Sequence, residues 1–197
     1  TAASLTFDSK GNIYIAFIEG GGMGIWNRET KRVSTYMLPT PNSFPYGIVT
    51  DKFDNIWIAE FHGSKIAKFD PKTNKFTEYA PPTQPALIRR LNLDSDGQTI
   101  WFGLFSSGKL DKLDPISGKI TEWKIPHQVS QPYDFVAEKG QIWFSDAGQG
   151  GALIRFDPKS ESFTYFPSPQ IADMPKISMS KEGAIWYSPR SSRDHPG

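Results

Sequence analysis

Residues 46–79 read YGIVTDKFDNIWIAEFHGSKIAKFDPKTNKFTEY, and this stretch decides the fold. It contains four runs of four to six residues that are rich in β-branched and aromatic side chains, at 47–51, 55–60, 65–70 and 76–79. Gly, Asn, Asp, Pro and Lys-Thr turn residues separate the runs. Because these connections are too short for anything but hairpins, the pattern predicts four short antiparallel strands and no helix.

The same unit recurs along the chain with a period near 43 residues. An isoleucine followed by an aromatic residue stands at 13–14, 56–57, 100–101, 142–143 and 185–186, at intervals of 43, 44, 42 and 43 residues. A second frame, Phe-Asp-Pro or Leu-Asp-Pro, follows in step at 69–71, 113–115 and 156–158. Four antiparallel strands repeated at this period are typical of β-propeller blades, in which each sheet buries both faces against its neighbours.

Counting the units predicts about four and a half blades. We expect their bounds near 1–43, 44–86, 87–130 and 131–173, with a half blade at 174–197. Such an open fan leaves sheet faces and one strand edge uncovered, which is an aggregation hazard for a free monomer. We therefore expect the unit to form part of a six- or seven-bladed ring, or a partner protein to cover its open ends.

Composition excludes several classes of protein. The chain has 22 Lys plus Arg against 21 Asp plus Glu, so no basic field favours nucleic acid as a partner. It has no cysteine, which excludes disulfide frameworks, thiolate metal sites and cysteine nucleophiles. No apolar run approaches the roughly 20 residues of a membrane helix, and no leader pattern stands at the N-terminus.

The unit at 46–79 resembles the repeat of the streptogramin lyase (virginiamycin B lyase) family, and the resemblance extends over essentially the whole chain. The resemblance implies a seven-bladed propeller in an extracytoplasmic (periplasmic or secreted) location. It also implies an elimination that opens the ester of a cyclic depsipeptide, with Mg²⁺ and histidine chemistry at the mouth of the central channel. Because the matching residues belong to the core and the turns, they support the fold more than the activity.

That elimination needs a base beside a carbonyl group and an electrophile for the developing charge. Family lyases resemble Pro-His-Gly at the start of a first strand. This chain has Tyr46, Arg89 with Arg90, and Tyr133 at the comparable places. His62, which follows the second strand of blade 2, is then the candidate base, although a plain polar loop residue is the simpler interpretation.

Two acidic residues match the position that closes the second strand in the family. They are Glu60 in blade 2 and Asp146 in blade 4, and both are candidate ligands of Mg²⁺. The corresponding residues of the other blades are Phe17, Leu104 and Pro189, so a solvated strand end is the alternative interpretation.

The loops after the second and fourth strands of a propeller blade face the same end of the ring. We therefore expect a mixed polar, aromatic and charged group around one channel mouth, made of Tyr46, Glu60, His62, Arg89, Arg90, Tyr133, Asp146 and Arg190. Such a mixture suits a small polar ligand or a protein loop. Pairing of Arg89 and Arg90 with nearby carboxylates is the alternative to ligand contact.

Three hypotheses follow for the function. The first is a non-catalytic propeller that binds a ligand or a protein partner. The second is a Mg²⁺-dependent carbon–oxygen lyase or lactone-opening enzyme that acts on a cyclic ester, with its remaining residues on further chain. The third is a structural subunit whose open faces are covered by another chain.

Overall fold

The computed structural model describes residues 1–148, 151–168 and 173–190, and over these residues the protein is all-β. The strands form four four-stranded antiparallel sheets and one two-stranded sheet. Their bounds are β1 Ala2–Phe7, β2 Ile13–Phe17, β3 Gly22–Trp26, β4 Val33–Met37, β5 Pro45–Thr50, β6 Ile56–Glu60, β7 Lys65–Asp70, β8 Lys75–Tyr79, β9 Leu91–Leu93, β10 Ile100–Leu104, β11 Lys109–Leu113, β12 Ile120–Lys124, β13 Pro132–Glu138, β14 Gln141–Asp146, β15 Ala152–Asp157, β16 Ser162–Pro167, β17 Asp173–Met179 and β18 Ile185–Arg190.

Each sheet is one propeller blade with its strands in chain order. Blades 1 to 4 are β1–β4, β5–β8, β9–β12 and β13–β16, and blade 5 consists of β17 and β18. The first strand of each blade contacts the first strand of the next, so these strands lie innermost around a common axis. This arrangement confirms the predicted β-propeller of four-stranded blades. The described residues include no helix that could cross a membrane.

Alternate side chains of each second strand enter different cores. In β6, Ile56 and Ile58 pack against blade 1, whereas Trp57 and Ala59 pack against blade 3. All four are fully buried. A strand buried on both faces reads as a continuous apolar run, which is why the Ile-aromatic pair marks every unit of the sequence.

The tryptophan of that pair is fixed by a repeated set of contacts. The indole nitrogen of Trp57 donates a 2.9 Å hydrogen bond to Asp51, and that of Trp101 donates a 2.9 Å bond to Asp94. A cation of the third strand lies over each ring: Lys68 Nζ is 5.4 Å from the Trp57 centroid, and Lys112 Nζ is 5.7 Å from that of Trp101. The aspartate that directly follows the first strand therefore positions the aromatic residue of the second.

A polar cluster recurs in two interfaces between blades. Lys109 Nζ lies 2.7 Å from a carboxylate oxygen of Glu122, which also accepts hydrogen bonds from the backbone and the hydroxyl of Thr83. The equivalent group between blades 1 and 2 is formed by Lys65, Glu78 and Thr40. Burial acts to raise the pKa of Glu122, but the hydrogen bonds from Lys109 and Thr83 outweigh it and hold that pKa below its usual value.

One buried acid in the interface between blades 2 and 3 has no such partners. Asp111 lies opposite Phe102 and Glu122 in the sheet register, and its side chain is fully buried. Within the part of the chain that the structure describes, neither carboxyl oxygen has a hydrogen-bond partner. Burial, reinforced by the charge of Glu122 and opposed by that of Lys109, raises the pKa of Asp111 to about 8. This carboxyl group is therefore largely protonated at neutral pH.

The two outermost faces of the fan expose apolar side chains. On blade 1, Leu5 and Phe7 lie on the face turned away from blade 2 and are 54% and 57% exposed. On blade 5, Trp186 occupies the register position of Trp57 and is 67% exposed. These side chains occupy core positions of the repeat, and no neighbouring blade among the described residues covers them.

Candidate functional site at the channel mouth

Three residues predicted to lie at the channel mouth occupy one position of the repeat. The second-strand tryptophans of blades 2, 3 and 4 pair with Val49, Asn92 and Val136 in the first strands. The residue three positions earlier is Tyr46 in blade 2, Arg89 in blade 3 and Tyr133 in blade 4. Because the first strands are innermost, these side chains converge at the end of the channel where those strands begin.

The convergence is direct contact. The hydroxyl groups of Tyr46 and Tyr133 are 2.7 Å apart, and the two rings meet edge to face at a centroid distance of 6.2 Å. Arg89 lies between the two tyrosines in blade order, and its Nη1 is 3.4 Å from the Tyr133 hydroxyl. The site thus joins three consecutive blades, and the structure brings together these three predicted residues.

Two phenylalanines, which the sequence analysis did not single out, complete the surroundings of Arg89. The guanidinium carbon lies 4.3 Å from the ring centroid of Phe105 and 4.6 Å from that of Phe61. The same atom is 5.0 Å from the Tyr133 ring and 5.8 Å from the Tyr46 ring. Phe61 and Phe105 each follow directly after a second strand, in blades 2 and 3. The occurrence of an aromatic residue at the same repeat position in both blades is the sequence signal that could have identified them.

Arg90 adds a second positive charge beside the cluster. Its guanidinium carbon lies 5.4 Å from the Tyr46 ring. The nearby carboxyl of Asp134 accepts hydrogen bonds from the backbone of Phe135 and Ile177. Burial raises the pKa of Asp134, and the charge of Arg90 opposes that rise. Among the described residues, neither Arg89 nor Arg90 has a carboxylate oxygen within 4.0 Å.

Gly47 allows blade 2 to approach this cluster closely. A Cβ atom at Gly47 would lie 2.8 Å from the Cα of Arg90 and 3.0 Å from the carbonyl oxygen of Arg89. Both atoms belong to the backbone, so they have little freedom to move aside. A glycine next to Tyr46 is therefore a requirement of the site's packing.

Glu60 lies in the interface between blades 1 and 2. It points to the same side of β6 as Ile56 and Ile58, and it faces Ser43, Lys65 and Glu78. The side chain is fully buried, and neither carboxyl oxygen has a hydrogen-bond partner among the described residues. Burial and the charge of Glu78 raise the pKa of Glu60 to about 7, against the opposing effects of Ser43 and Lys65.

Asp146 secures the loop that follows its own strand. One carboxylate oxygen accepts hydrogen bonds from the backbone nitrogens of Gln131 and Gly148, at 2.6 and 2.9 Å, and the other accepts one from the Ser130 hydroxyl at 2.7 Å. The side chain is 2% exposed. These three internal donors already use the oxygens that a metal ion would require.

His62 lies at the rim and is exposed. Its ring centroid is 4.5 Å from that of Phe44 and 5.1 Å from that of Phe61, so the imidazole borders the aromatic surroundings of Arg89. Arg190 ends β18, and its side chain lies outside the described residues.

The residues described here do not fit the Mg²⁺ ion that the family resemblance implies. Over residues 1–148, 151–168 and 173–190, no group of three or more His, Asp or Glu side chains has an arrangement that could hold a metal ion. Glu60 faces another carboxylate and a lysine, and three internal donors occupy most of the acceptor positions of Asp146. Divalent hard cations require several converging oxygens. Glu60 and Asp146 lie in different blades and do not bring their carboxyl oxygens together.

Comparison with solved structures gives virginiamycin B lyases and the extracellular domain of a two-component system. Virginiamycin B lyase from Staphylococcus aureus superposes with a TM-score of 0.87 at 22% identity, over 94% of this chain and 62% of that one. A catalytically inactive variant of the same enzyme, crystallised with quinupristin, gives a TM-score of 0.86 at 26% identity, over 95% and 63%. The extracellular domain of a hybrid two-component system from B. thetaiotaomicron gives 0.78 at 14% identity, over 95% and 26%.

The chain thus spans about three-fifths of the length of the lyases it matches. No curated protein sequence is significantly similar to it. The model of the virginiamycin B lyase family matches residues 1–194, nearly the whole sequence. The chain therefore belongs to the virginiamycin B lyase family.

Proposed function

We propose that this chain provides a non-catalytic binding module, with its ligand site at the channel mouth around Tyr46, Arg89 and Tyr133. The observation that carries the proposal is the convergence of one repeat position from three consecutive blades on a partly exposed arginine. Polar groups that converge within apolar surroundings are typical of sites for small ligands. The proposed ligand is accordingly a small polar molecule.

The chemistry of the three residues argues against proton abstraction at this position. An arginine does not give up its proton in proteins, so Arg89 is not a base. Burial and the neighbouring Tyr46 raise the pKa of Tyr133 to about 12, so its hydroxyl stays protonated at neutral pH. Glu60 has a pKa suited to a base but is enclosed in the interface between blades 1 and 2.

The second candidate is a Mg²⁺-dependent carbon–oxygen lyase or lactone-opening enzyme. Membership in the lyase family favours it, as does the exposed position of His62 beside the site. In this candidate function His62 would be the base, and the remaining metal ligands would have to come from further chain.

We also propose that a protein partner or further subunits of a larger assembly cover the outer faces of blades 1 and 5, because these faces expose apolar side chains. An extracytoplasmic location is proposed as well, because extracellular sensor domains are among the proteins of similar fold.

Quinupristin, the molecule named with the related lyase structure, is the probe that separates the first two candidates. It is mixed with the protein with and without Mg²⁺, binding is measured by calorimetry, and the recovered compound is analysed by chromatography. Elimination forms an alkene and a carboxylic acid with no change in mass, so retention time is the appropriate readout. We expect binding and an unchanged compound.

The lyase would replace the non-catalytic proposal if ring-opened quinupristin forms only with Mg²⁺ and if its rate of formation falls in Glu60→Ala and His62→Ala. If neither quinupristin nor a panel of small polar compounds binds, the binding proposal fails. Arg89→Met is the matched site variant. Arg32→Met, which removes the same charge from an exposed turn, is its control.

A further inference from the structure

We propose that the channel-mouth cluster of Tyr46, Arg89 and Tyr133 recognises the carboxylate group of a small ligand with an apolar body. The inference rests on the proposed function, since it names the ligand class of the same site. The donors that the cluster leaves free, its positive charge and the aromatic rings around it all favour such a ligand.

Arg89 has most of its hydrogen-bonding capacity unused. A guanidinium group carries five N–H donors, and the bond described for Arg89 is the long contact of 3.4 Å to Tyr133. Its Nε is buried and has no partner in the part of the chain that the structure describes. A planar guanidinium presents two parallel N–H groups to a carboxylate, a match that a neutral ligand does not provide.

The tyrosine pair supplies a further donor. Two hydroxyl groups hold two protons, and their mutual bond of 2.7 Å uses one of them. When Tyr133 accepts from Arg89 and donates to Tyr46, the Tyr46 proton is left to point at a ligand. Because burial keeps Tyr133 protonated, the pair does not become a competing anion at neutral pH. The cluster therefore offers N–H and O–H donors and a positive charge.

The charge balance favours one negative charge on the ligand. Arg90 has a nearby acid in Asp134, whose pKa it acts to lower. Neither arginine has a carboxylate oxygen within 4.0 Å among the described residues, so Arg90 is offset only by the more distant charge of Asp134, and no comparable acid is described beside Arg89. One unopposed arginine complements a monoanion such as a carboxylate better than a phosphate dianion. Because the whole chain carries a net charge of only +1, the preference is local to this site.

The rings around Arg89 account for the apolar body of the ligand. Phe61 and Phe105 have their centroids 6.4 Å apart and border the guanidinium, and both are partly exposed. Their rings lie 4.6 and 4.3 Å from the guanidinium carbon and reduce its exposure to solvent, which strengthens a hydrogen bond between charged groups. An apolar group attached to the carboxylate would cover these ring faces and the neighbouring ring of His62.

The test compares phenylacetate with phenylacetamide, which has nearly the same shape but no charge, by calorimetry at pH 7. Phenyl phosphate supplies the dianion. We expect phenylacetate to bind at least about tenfold more tightly than phenylacetamide, because a charge-assisted pair of hydrogen bonds is lost with the amide. Arg89→Met should abolish the difference, Tyr133→Phe should reduce it, and Arg32→Met should leave it unchanged. Near-ultraviolet circular dichroism checks that each variant is folded.

The outcomes distinguish this inference from the proposed function. Equal affinity for phenylacetate and phenylacetamide, or binding of quinupristin without binding of phenylacetate, overturns the carboxylate inference and leaves the binding function intact. Tighter binding of phenyl phosphate than of phenylacetate overturns the assignment of a single negative charge. If quinupristin, the small polar panel and all three phenyl probes fail to bind, both proposals fall.

Discussion

The hydroxyl groups of Tyr46 and Tyr133 lie 2.7 Å apart although 87 residues separate them in the sequence. The bond joins blade 2 to blade 4 across the start of blade 3. Its two partners are the same repeat position in their blades, and the residue at that position in the blade between them is Arg89. A bond between blades that are not neighbours is a contact that the repeat alone does not require.

Tyr133→Phe removes both the bond to Tyr46 and the hydroxyl that accepts from Arg89. We expect the free energy of unfolding to fall by about 1–2 kcal/mol, because the half-buried Tyr46 and Arg89 each lose a hydrogen-bond partner. Tyr46→Phe should cost less, since Arg89 keeps its acceptor. Urea denaturation measures both, with Tyr187→Phe on exposed β18 as the control. Equal costs for Tyr133→Phe and Tyr187→Phe would contradict this account.

Asp111→Ala should stabilise the protein at alkaline pH. The pKa of Asp111 is raised from 3.8 to about 8, so the folded state holds a proton that the unfolded state releases. The stabilising effect of that proton is complete below about pH 4 and is lost as the pH rises toward 8. We expect the free energy of unfolding of the variant to exceed that of the wild type by about 1–3 kcal/mol at pH 8 and by much less at pH 5. Urea denaturation at both pH values measures this difference.

Blade 2 provides the reciprocal variant for this test. Ala67 lies opposite Glu78 as Asp111 lies opposite Glu122, and it is also fully buried. Ala67→Asp should destabilise the protein, and the loss should grow as the pH rises. A pH-independent effect of both substitutions would contradict this account, because it would mean that the folded and unfolded states bind the same number of protons and that the pKa of Asp111 is not raised by folding.

Glu122→Gln tests the polar cluster between blades 2 and 3. The pKa of Glu122 lies below its usual 4.5, so its contribution is present above that value and is lost as the pH falls through the lowered pKa. We expect the substitution to lower the free energy of unfolding by about 1–2 kcal/mol at pH 7, as measured by urea denaturation. The difference should shrink in acid, because protonation of Glu122 weakens the bonds from Lys109 and Thr83 in the wild type as well.

The matched control for that cluster is Glu138→Gln. Glu138 pairs with Lys139, whose side chain is 85% exposed although that of Glu138 is 22% exposed, and ion pairs that solvent reaches from one side contribute little to stability. Its effect should stay within about 0.5 kcal/mol at either pH. If Glu122→Gln behaves in the same way, the recurring Lys-Glu-Thr cluster does not stabilise the interface.

Trp186 should dominate the quenching of tryptophan fluorescence by iodide. It is 67% exposed, whereas Trp57 and Trp101 are 0% and 1% exposed. Trp186→Phe should therefore remove a large part of the quenched, red-shifted emission, and Trp57→Phe should remove emission that iodide does not reach. Undiminished quenching in Trp186→Phe would indicate that this face is covered in solution.

Much of the fold was predictable because its rules are local. The Ile-Trp pairs specify a second strand buried on both faces, and the Phe-Asp-Pro frames specify the end of the third strand. There the aspartate accepts a backbone hydrogen bond from the residue two positions on, as Asp70 does from Lys72 and Asp157 does from Lys159. These signals depend only on near neighbours, so the sequence displays them directly.

The site was predictable only in part because side-chain direction depends on strand parity. Tyr46, Arg89 and Tyr133 converge as expected, since they share a repeat position. Glu60 ends its strand near the mouth, yet it stands two residues after Ile58 and so points into the same interface. The spacing of Ile58 and Glu60 in the sequence was enough to predict that both side chains point to the same side of the strand. The buried state of Asp111 was not predictable in this way, because it depends on the packing of a second sheet.

Three sheets contribute one side chain each to the Tyr46, Arg89 and Tyr133 contact, and their relative tilt sets the distance between the two hydroxyl groups. A ligand that requires this spacing binds one tilt more tightly than any other. By mass action the bound ligand stabilises that tilt. Ligand binding at the channel mouth should therefore also restrict the motion of blades 2, 3 and 4 relative to one another.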